Sequence, residues 1–129
     1  MELETMEPNP VWTEEAYADS IDVLASLRDE LTYRVWGGDW CTDCRSQLPD
    51  FAAALESAAV PDNRIEHYPV EKADDGSKTG PLVEEYGIEY IPTVVVEQDG
   101  EEVARFVEEE PVPIVVYLAR RLEDRARSV

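Results

Sequence analysis

The chain contains two cysteines, Cys41 and Cys44, and their spacing limits what the surrounding sequence can form. Two cysteines separated by two residues serve redox chemistry or half of a metal site, and in a reducing compartment they do not form a structural disulfide framework. The pair follows a run of β-branched and aromatic residues, 31–36, that is broken by Gly37 and Gly38. This order predicts that the cysteines lie on a loop between a strand and the helix that follows it.

Apolar residues at helical spacing predict helices on both sides of this loop. The stripe after the cysteines contains Pro49, which is expected to kink its helix without ending it. An earlier stripe predicts a helix over residues 13–28, with Thr13 as the N-cap and acids in the first turn. The stripe after the cysteines consists of Leu48, Phe51, Ala52, Leu55 and Ala59. The earlier stripe consists of Tyr17, Ile21, Leu24 and Leu27.

The remaining elements predict one α/β domain. They are a strand at 65–70, a polar loop at 73–80, a short helix at 81–86, strands at 93–97 and 103–107, and a helix at 112–122. Asp99 and Gly100 join the last two strands as a hairpin. We expect a central mixed sheet of four to five strands with helices on both faces. Residues 1–11 read as an irregular, partly mobile lead-in, and residues 12–129 as the single domain.

Charge excludes several kinds of partner. The sequence has 30 acidic and 11 basic residues, for a formal net charge of −19. Such a surface repels phosphate backbones and anionic lipids, so neither nucleic acid nor a membrane is expected as a partner. The acids are dispersed along the chain, which favours the hypothesis of a salt-rich cytoplasm where charge repulsion is screened. The N-terminal residues lack the features of a signal peptide and no apolar run is long enough to cross a bilayer, so we expect a soluble, cytoplasmic protein.

The position of the cysteines indicates their chemistry. Disulfide exchange needs a thiolate that attacks and a second thiol that resolves the mixed disulfide. Unpaired N–H groups and the macrodipole at a helix start favour negative charge on the first cysteine. Cys41 is therefore predicted to be the nucleophile and Cys44 the resolving thiol.

These motifs together resemble the thioredoxin family. The resemblance rests on the segment Trp40 through Cys44, on Pro49 five residues later, on the run 86–93 that contains Ile-Pro-Thr, and on the hairpin at Asp99, so that it covers roughly residues 31–122. It implies a thioredoxin-like fold and a disulfide reductase whose Cys41 and Cys44 form the redox-active disulfide.

The resemblance also implies a substrate site. Pro92 would follow a cis peptide bond and pack beside the cysteines, and Ile91 would offer its backbone to an extended substrate, with Trp40 and Thr93 completing the site. The substrates would be disulfide-containing proteins or small disulfides. No flavin or nicotinamide fingerprint occurs, so no cofactor is expected and a separate disulfide reductase would supply electrons to a monomeric protein.

Two positions depart from the usual family pattern. Thr42 and Asp43 replace Gly-Pro between the cysteines, as in the thioredoxin-related subfamily with Asp before the second cysteine, and an acid there opposes thiolate formation. Val35 stands where thioredoxins carry a buried carboxylate that accepts the proton of the resolving thiol. Asp43 or Asp39 could replace that acceptor through a water molecule, or either could be a solvated loop acid.

Several alternatives stay open from sequence alone. A closed zinc site needs four ligands, and the chain adds only His67 and carboxylates to the two cysteines, so no metal is expected. His67 itself is interpreted as a half-exposed strand residue. Besides a reductase, the chain could be a disulfide oxidase or isomerase, or a non-catalytic binding module that uses the groove beside Pro92.

Overall fold

The structure, a computed structural model, describes residues 3–108 and 110–127, with the backbone alone at 126 and 127. Apart from two short additional strands, its helices and strands follow the predicted order. The helices are α1 (Ala18–Ser26), α2 (Thr42–Ser57), α3 (Val83–Tyr86) and α4 (Ile114–Arg127). The strands are β1 (Leu31–Gly37), β2 (Ile65–Pro69), β3 (Glu71–Lys72), β4 (Lys78–Thr79), β5 (Thr93–Gln98) and β6 (Glu101–Val107).

The central sheet has four strands in the order β2-β1-β5-β6. Strand β1 runs parallel to β2 and antiparallel to β5, so the predicted mixed sheet is confirmed. The predicted hairpin at Asp99 and Gly100 is also confirmed, and both residues have left-handed φ angles of 55° and 79°. Such a pair of angles suits a two-residue turn whose twist matches the strands.

One prediction about a loop was wrong. Residues 73–80 do not form a plain polar loop, because β4 lies within them and pairs with β3 as a second, two-stranded antiparallel sheet. Each strand has only two residues, which is too short for an alternating pattern to appear in sequence.

The helix face of the central sheet, as we call the side covered by α1, α2 and α4, carries most of the apolar core. Tyr33 of β1 meets Phe51 of α2 with ring centroids 6.1 Å apart, and Phe106 of β6 meets Tyr117 of α4 at 5.5 Å. Helix α1 packs against both α2 and α4. Leu24, Leu48 and Phe51 are among the large side chains buried here.

The network face, as we call the opposite side, is covered by the single-turn helix α3 and by side chains of the sheet itself. Trp36 packs against Tyr68 and Tyr86, with centroid distances of 4.8 Å and 5.0 Å. Beside this aromatic layer, the Arg34 guanidinium donates to Glu97 at 2.7 Å. Helices therefore lie on both faces, as predicted, although three lie on one face and one on the other.

The N-terminal segment differs from its prediction. Leu3, Thr5 and Met6 are buried, and Glu4–Met6 forms a 3-10 turn that packs against α2. The expectation that residues 1–11 are an irregular lead-in outside the folded domain is therefore wrong for these residues. The segment is ordered by distant contacts, which local periodicity does not reveal.

The helix predicted over residues 13–28 is also shorter than expected. It begins as a 3-10 helix, Glu14–Tyr17, and becomes α-helical at Ala18. Thr13 occupies the N-cap position and acids follow in the first turn, as predicted, but the Thr13 side chain makes no capping hydrogen bond.

Across residues 3–108 and 110–127, none of the helices combines the length and hydropathy needed to cross a bilayer.

Candidate dithiol site

Helix α2 places the two cysteines at different depths. Cys41 occupies the N-cap position, and its sulfur accepts a hydrogen bond from the backbone N–H of Cys44 at 3.4 Å. Cys41 is half-buried, whereas Cys44 in the first turn is fully buried. The Cys41 side chain is therefore partly open to solvent, whereas the Cys44 side chain is not.

The surroundings of Cys44 keep its thiol protonated. Burial raises the pKa of Cys44 far above that of an ordinary thiol, the N–H of Gly38 at 3.5 Å lowers the pKa in part, and the neighbouring Cys41 and the Asp43 charge raise it further. Val35 is fully buried in the core, so this position of β1 carries an apolar side chain and no acid.

The two glycines before the motif allow the loop to pass close to its neighbours. A Cβ atom on Gly37 would lie 2.9 Å from Cδ1 of Leu48 and 3.5 Å from the Cys44 sulfur. A Cβ atom on Gly38 would lie 2.6 Å from the indole nitrogen of Trp40. Larger residues here would displace the helix start or the indole.

The segment around Pro92 reaches the cysteine pair. The Ile91–Pro92 peptide bond is cis, as the resemblance implied, and the carbonyl oxygen of Ile91 lies 4.0 Å from the Cys41 sulfur. The Ile91 side chain is buried, and the Thr93 hydroxyl donates to the carbonyl of Tyr90 at 2.5 Å. The backbone of this segment, and not these two side chains, is therefore what faces Cys41.

The two tryptophans near the loop have different environments. Trp36 is fully buried and donates from its indole nitrogen to the carbonyl of Pro81 at 2.9 Å. Trp40 is 47% exposed while its indole nitrogen donates to the carbonyl of Val70 at 2.9 Å. Trp40 therefore offers an anchored apolar surface beside Cys41, and Trp36 belongs to the core.

The two acids near the cysteines have different environments. The Asp39 carboxylate accepts hydrogen bonds from the backbone N–H groups of Glu4 at 3.3 Å and Thr5 at 3.0 Å. It holds the N-terminal turn against the active-site loop, which argues against a role as proton acceptor. Asp43 is exposed on the first turn of α2.

His67 has a structural contact, as the sequence interpretation anticipated. It is half-buried in β2, and its Nδ1 accepts a hydrogen bond from the backbone N–H of Leu3 at 3.1 Å. Within the described residues, no three or more His, Cys, Asp and Glu side chains come together as a metal site would require.

Sequence reasoning missed two residues that border this site. The Gln47 side chain donates to the carbonyl of Glu108 at 2.9 Å, and the N–H of Glu108 donates to the carbonyl of Pro92 at 2.7 Å. A lone glutamine in a helix and an acid after a strand carry no local signal, because their contact spans 61 positions.

Similarity to known proteins is found among solved structures. The sequence matches no protein-family model and no curated protein. Among solved structures, it is similar to mitochondrial thioredoxin 3 from Saccharomyces cerevisiae in the oxidised form, with a TM-score of 0.53 and 16% identity over 78% of this chain and 89% of that one.

Two other solved structures are similar over almost the whole chain. A mutant thioredoxin from Halobacterium salinarum gives a TM-score of 0.51 and 22% identity, covering 96% of this chain and 95% of that one. A thioredoxin from Nicotiana alata gives a TM-score of 0.51 and 19% identity, covering 95% of this chain and 94% of that one. Together with the mixed four-stranded sheet flanked by helices, these similarities show that the chain has the thioredoxin fold.

Proposed function

We propose that this protein is a thiol–disulfide oxidoreductase of the thioredoxin family, which reduces disulfides of protein or small-molecule substrates. One observation carries the proposal: a half-buried cysteine caps α2, bonds the N–H of a buried second cysteine, and faces the backbone before a cis proline. This arrangement provides an attacking sulfur, a resolving sulfur and a backbone for an extended substrate.

The reaction would proceed in two exchanges. The Cys41 thiolate attacks one sulfur of the substrate disulfide, forms a mixed disulfide and releases the first substrate thiolate. Cys44 then loses its proton and attacks the Cys41 sulfur, releasing the second substrate thiolate and leaving a Cys41–Cys44 disulfide. The substrate gains two electrons and the dithiol loses two. A separate disulfide reductase restores the dithiol, because the chain stores only one electron pair.

The proton on Cys44 controls the second exchange. Its raised pKa makes the thiol a poor nucleophile until a base removes the proton. Asp43 is our candidate acceptor, acting through water, because it is exposed and its charge acts on Cys44. If this is right, Asp43→Asn slows resolution and changes the pH–rate profile. Unchanged or faster resolution in this variant would remove Asp43 from the mechanism.

The substrate would lie along the backbone of Ile91, between Pro92 and Trp40, with Thr93 holding the segment from inside. Trp40 and Tyr90 are 47% and 52% exposed, so each offers an apolar ring to a bound chain. The same exposure favours a second candidate function, a binding module that captures a partner without redox chemistry.

A disulfide-reduction assay separates the two functions. We expect the wild-type protein to reduce insulin in molar salt with a dithiol donor, and Cys41→Ser to lose this activity. Equal activity of the two proteins would contradict the reductase and leave the binding module. The reduction potential then distinguishes a reductant near about −270 mV from an oxidase near about −120 mV.

A further inference from the structure

We infer that Gln47 is a positioning residue that holds the cis-proline segment at its working distance from the dithiol helix. The inference rests on the proposed function and deepens it, since it concerns protein substrates at the same site. Gln47 acts through the backbone of Glu108 and touches neither sulfur.

The contacts form a closed path around the site. Gln47 lies on α2 one turn beyond Cys44, and its amide nitrogen donates to the carbonyl of Glu108 at 2.9 Å. The N–H of Glu108 donates to the carbonyl of Pro92 at 2.7 Å. On the other side, the carbonyl of Ile91 lies 4.0 Å from the Cys41 sulfur. The helix that carries both cysteines is thus tied to the cis-proline segment by this two-bond bridge.

The middle of the bridge has an unusual backbone. Glu108 directly follows β6 and has a φ angle of 50°, in the left-handed region that side chains other than glycine rarely adopt. Residues in such conformations persist where surrounding contacts hold them. Here the two contacts are the bonds to Pro92 and Gln47, one on each polar group of the Glu108 backbone. Losing the Gln47 bond would leave the Glu108 carbonyl free to turn away.

The function of the bridge follows from what each substrate class needs. An extended protein substrate must pair with the backbone of Ile91 while its disulfide meets the Cys41 sulfur, so the distance between these groups matters. A small disulfide needs the sulfur alone. A small misplacement at a distance from the chemistry can lower rates greatly when it disturbs substrate orientation. Loosening the bridge should therefore affect protein disulfides selectively.

Gln47→Met tests the inference because methionine keeps the length and unbranched shape of glutamine but has no donor. Gln98→Met is the matched control. Gln98 is also half-buried, and its amide donates to Glu30 at 3.2 Å at the end of β5 remote from Pro92. Steady-state kinetics are measured for the wild type and both variants with insulin and with a small aromatic disulfide, alongside thermal unfolding.

We expect Gln47→Met to raise KM for insulin about fivefold, the value of one lost hydrogen bond, with an unchanged rate for the small disulfide. Gln98→Met should match the wild type with both substrates. Unchanged insulin kinetics in Gln47→Met would overturn the inference, and so would an equal loss with both substrates, which would indicate damage to the dithiol or the fold. A wild-type protein that reduces neither substrate would instead refute the proposed function.

Discussion

The two faces of the central sheet are stabilised in different ways. On the helix face, three helices bury apolar side chains such as Phe51 against the sheet, which removes these side chains from water. On the network face, α3 has a single turn, and the sheet covers itself with stacked rings and an ion pair between Arg34 and Glu97. A sheet face can therefore be closed by its own long side chains where a helix is short, provided that every buried charge has a partner.

The largest expected effect is on the helix face. Phe51→Ala should lower the free energy of unfolding by about 3–5 kcal/mol, because it removes a fully buried ring and leaves a cavity beside Tyr33. Urea unfolding measures the change. Val11→Ala is the control, since Val11 is 82% exposed and should have little effect. Equal effects of the two substitutions would mean that α2 is not packed on the sheet as described.

The next effect tests the network face. Glu97→Ala should cost about 2–3 kcal/mol, because it leaves Arg34 without its 2.7 Å partner and Tyr86 without the carboxylate that accepts from its hydroxyl. Glu102→Ala is the matched control, since the ion pair between Glu102 and Arg105 is more exposed and should be worth at most about 1 kcal/mol. Similar losses in urea unfolding would show that the network face is an ordinary charged surface.

As the pH rises, a buried group on the helix face should lower the stability before one on the network face does. The pKa of Cys44 is higher in the folded protein than in the unfolded chain. The protonated thiol therefore makes its full contribution to the free energy of unfolding below about pH 8.5, where an unfolded thiol ionises, and this contribution declines as the pH rises. The decline should approach about 1.4 kcal/mol per pH unit for the reduced protein. Burial also raises the pKa of Tyr68 on the network face, to about 12, so its contribution declines only above about pH 10.

Unfolding of reduced wild type and Cys44→Ala between pH 8.5 and 10 measures this difference. The variant should lose less stability over that interval than the wild type does. Parallel curves would show that the Cys44 thiol ionises as readily in the folded protein as in the unfolded chain.

The smallest effects compare two tyrosine hydroxyls. That of Tyr33, on the helix face, is buried without a hydrogen-bond partner among the described residues, so Tyr33→Phe should raise the unfolding free energy by up to about 1 kcal/mol. The Tyr68 hydroxyl, on the network face, accepts a hydrogen bond from Arg34 and donates one to Glu66 at 2.6 Å. Tyr68→Phe should therefore lower the unfolding free energy by about 1–2 kcal/mol. Thermal unfolding of both variants would show whether the signs are opposite.

Sequence patterns were sufficient for the elements that local chemistry determines. The hairpin at Asp99 follows from two residues that accept left-handed angles, and the helix start at Cys41 follows from glycines before an apolar stripe. The cis bond before Pro92 came from the family resemblance, since most such bonds are trans.

Other features depend on partners far away in the chain. Leu3 is buried and its N–H donates to His67, 64 positions away. The turn after it depends on Asp39, which lies 34 and 35 positions from the N–H groups that it binds. The preference for Trp40 over Trp36 as the site residue came from the family resemblance, because both residues flank the same loop and the fold decides which ring is covered. The bridge through Gln47 also depends on a distant partner, because Glu108 lies 61 positions further along the chain.

The contact between Asp39 and the N-terminal turn has a practical consequence for labelling. The N–H groups of Glu4 and Thr5 bind a carboxylate two residues before Cys41, so a bulky label placed on this turn would disturb the loop that carries the cysteines. An affinity tag or fluorophore is better attached away from this turn. Measurements with a label on this turn would otherwise report on the label as well as on the dithiol.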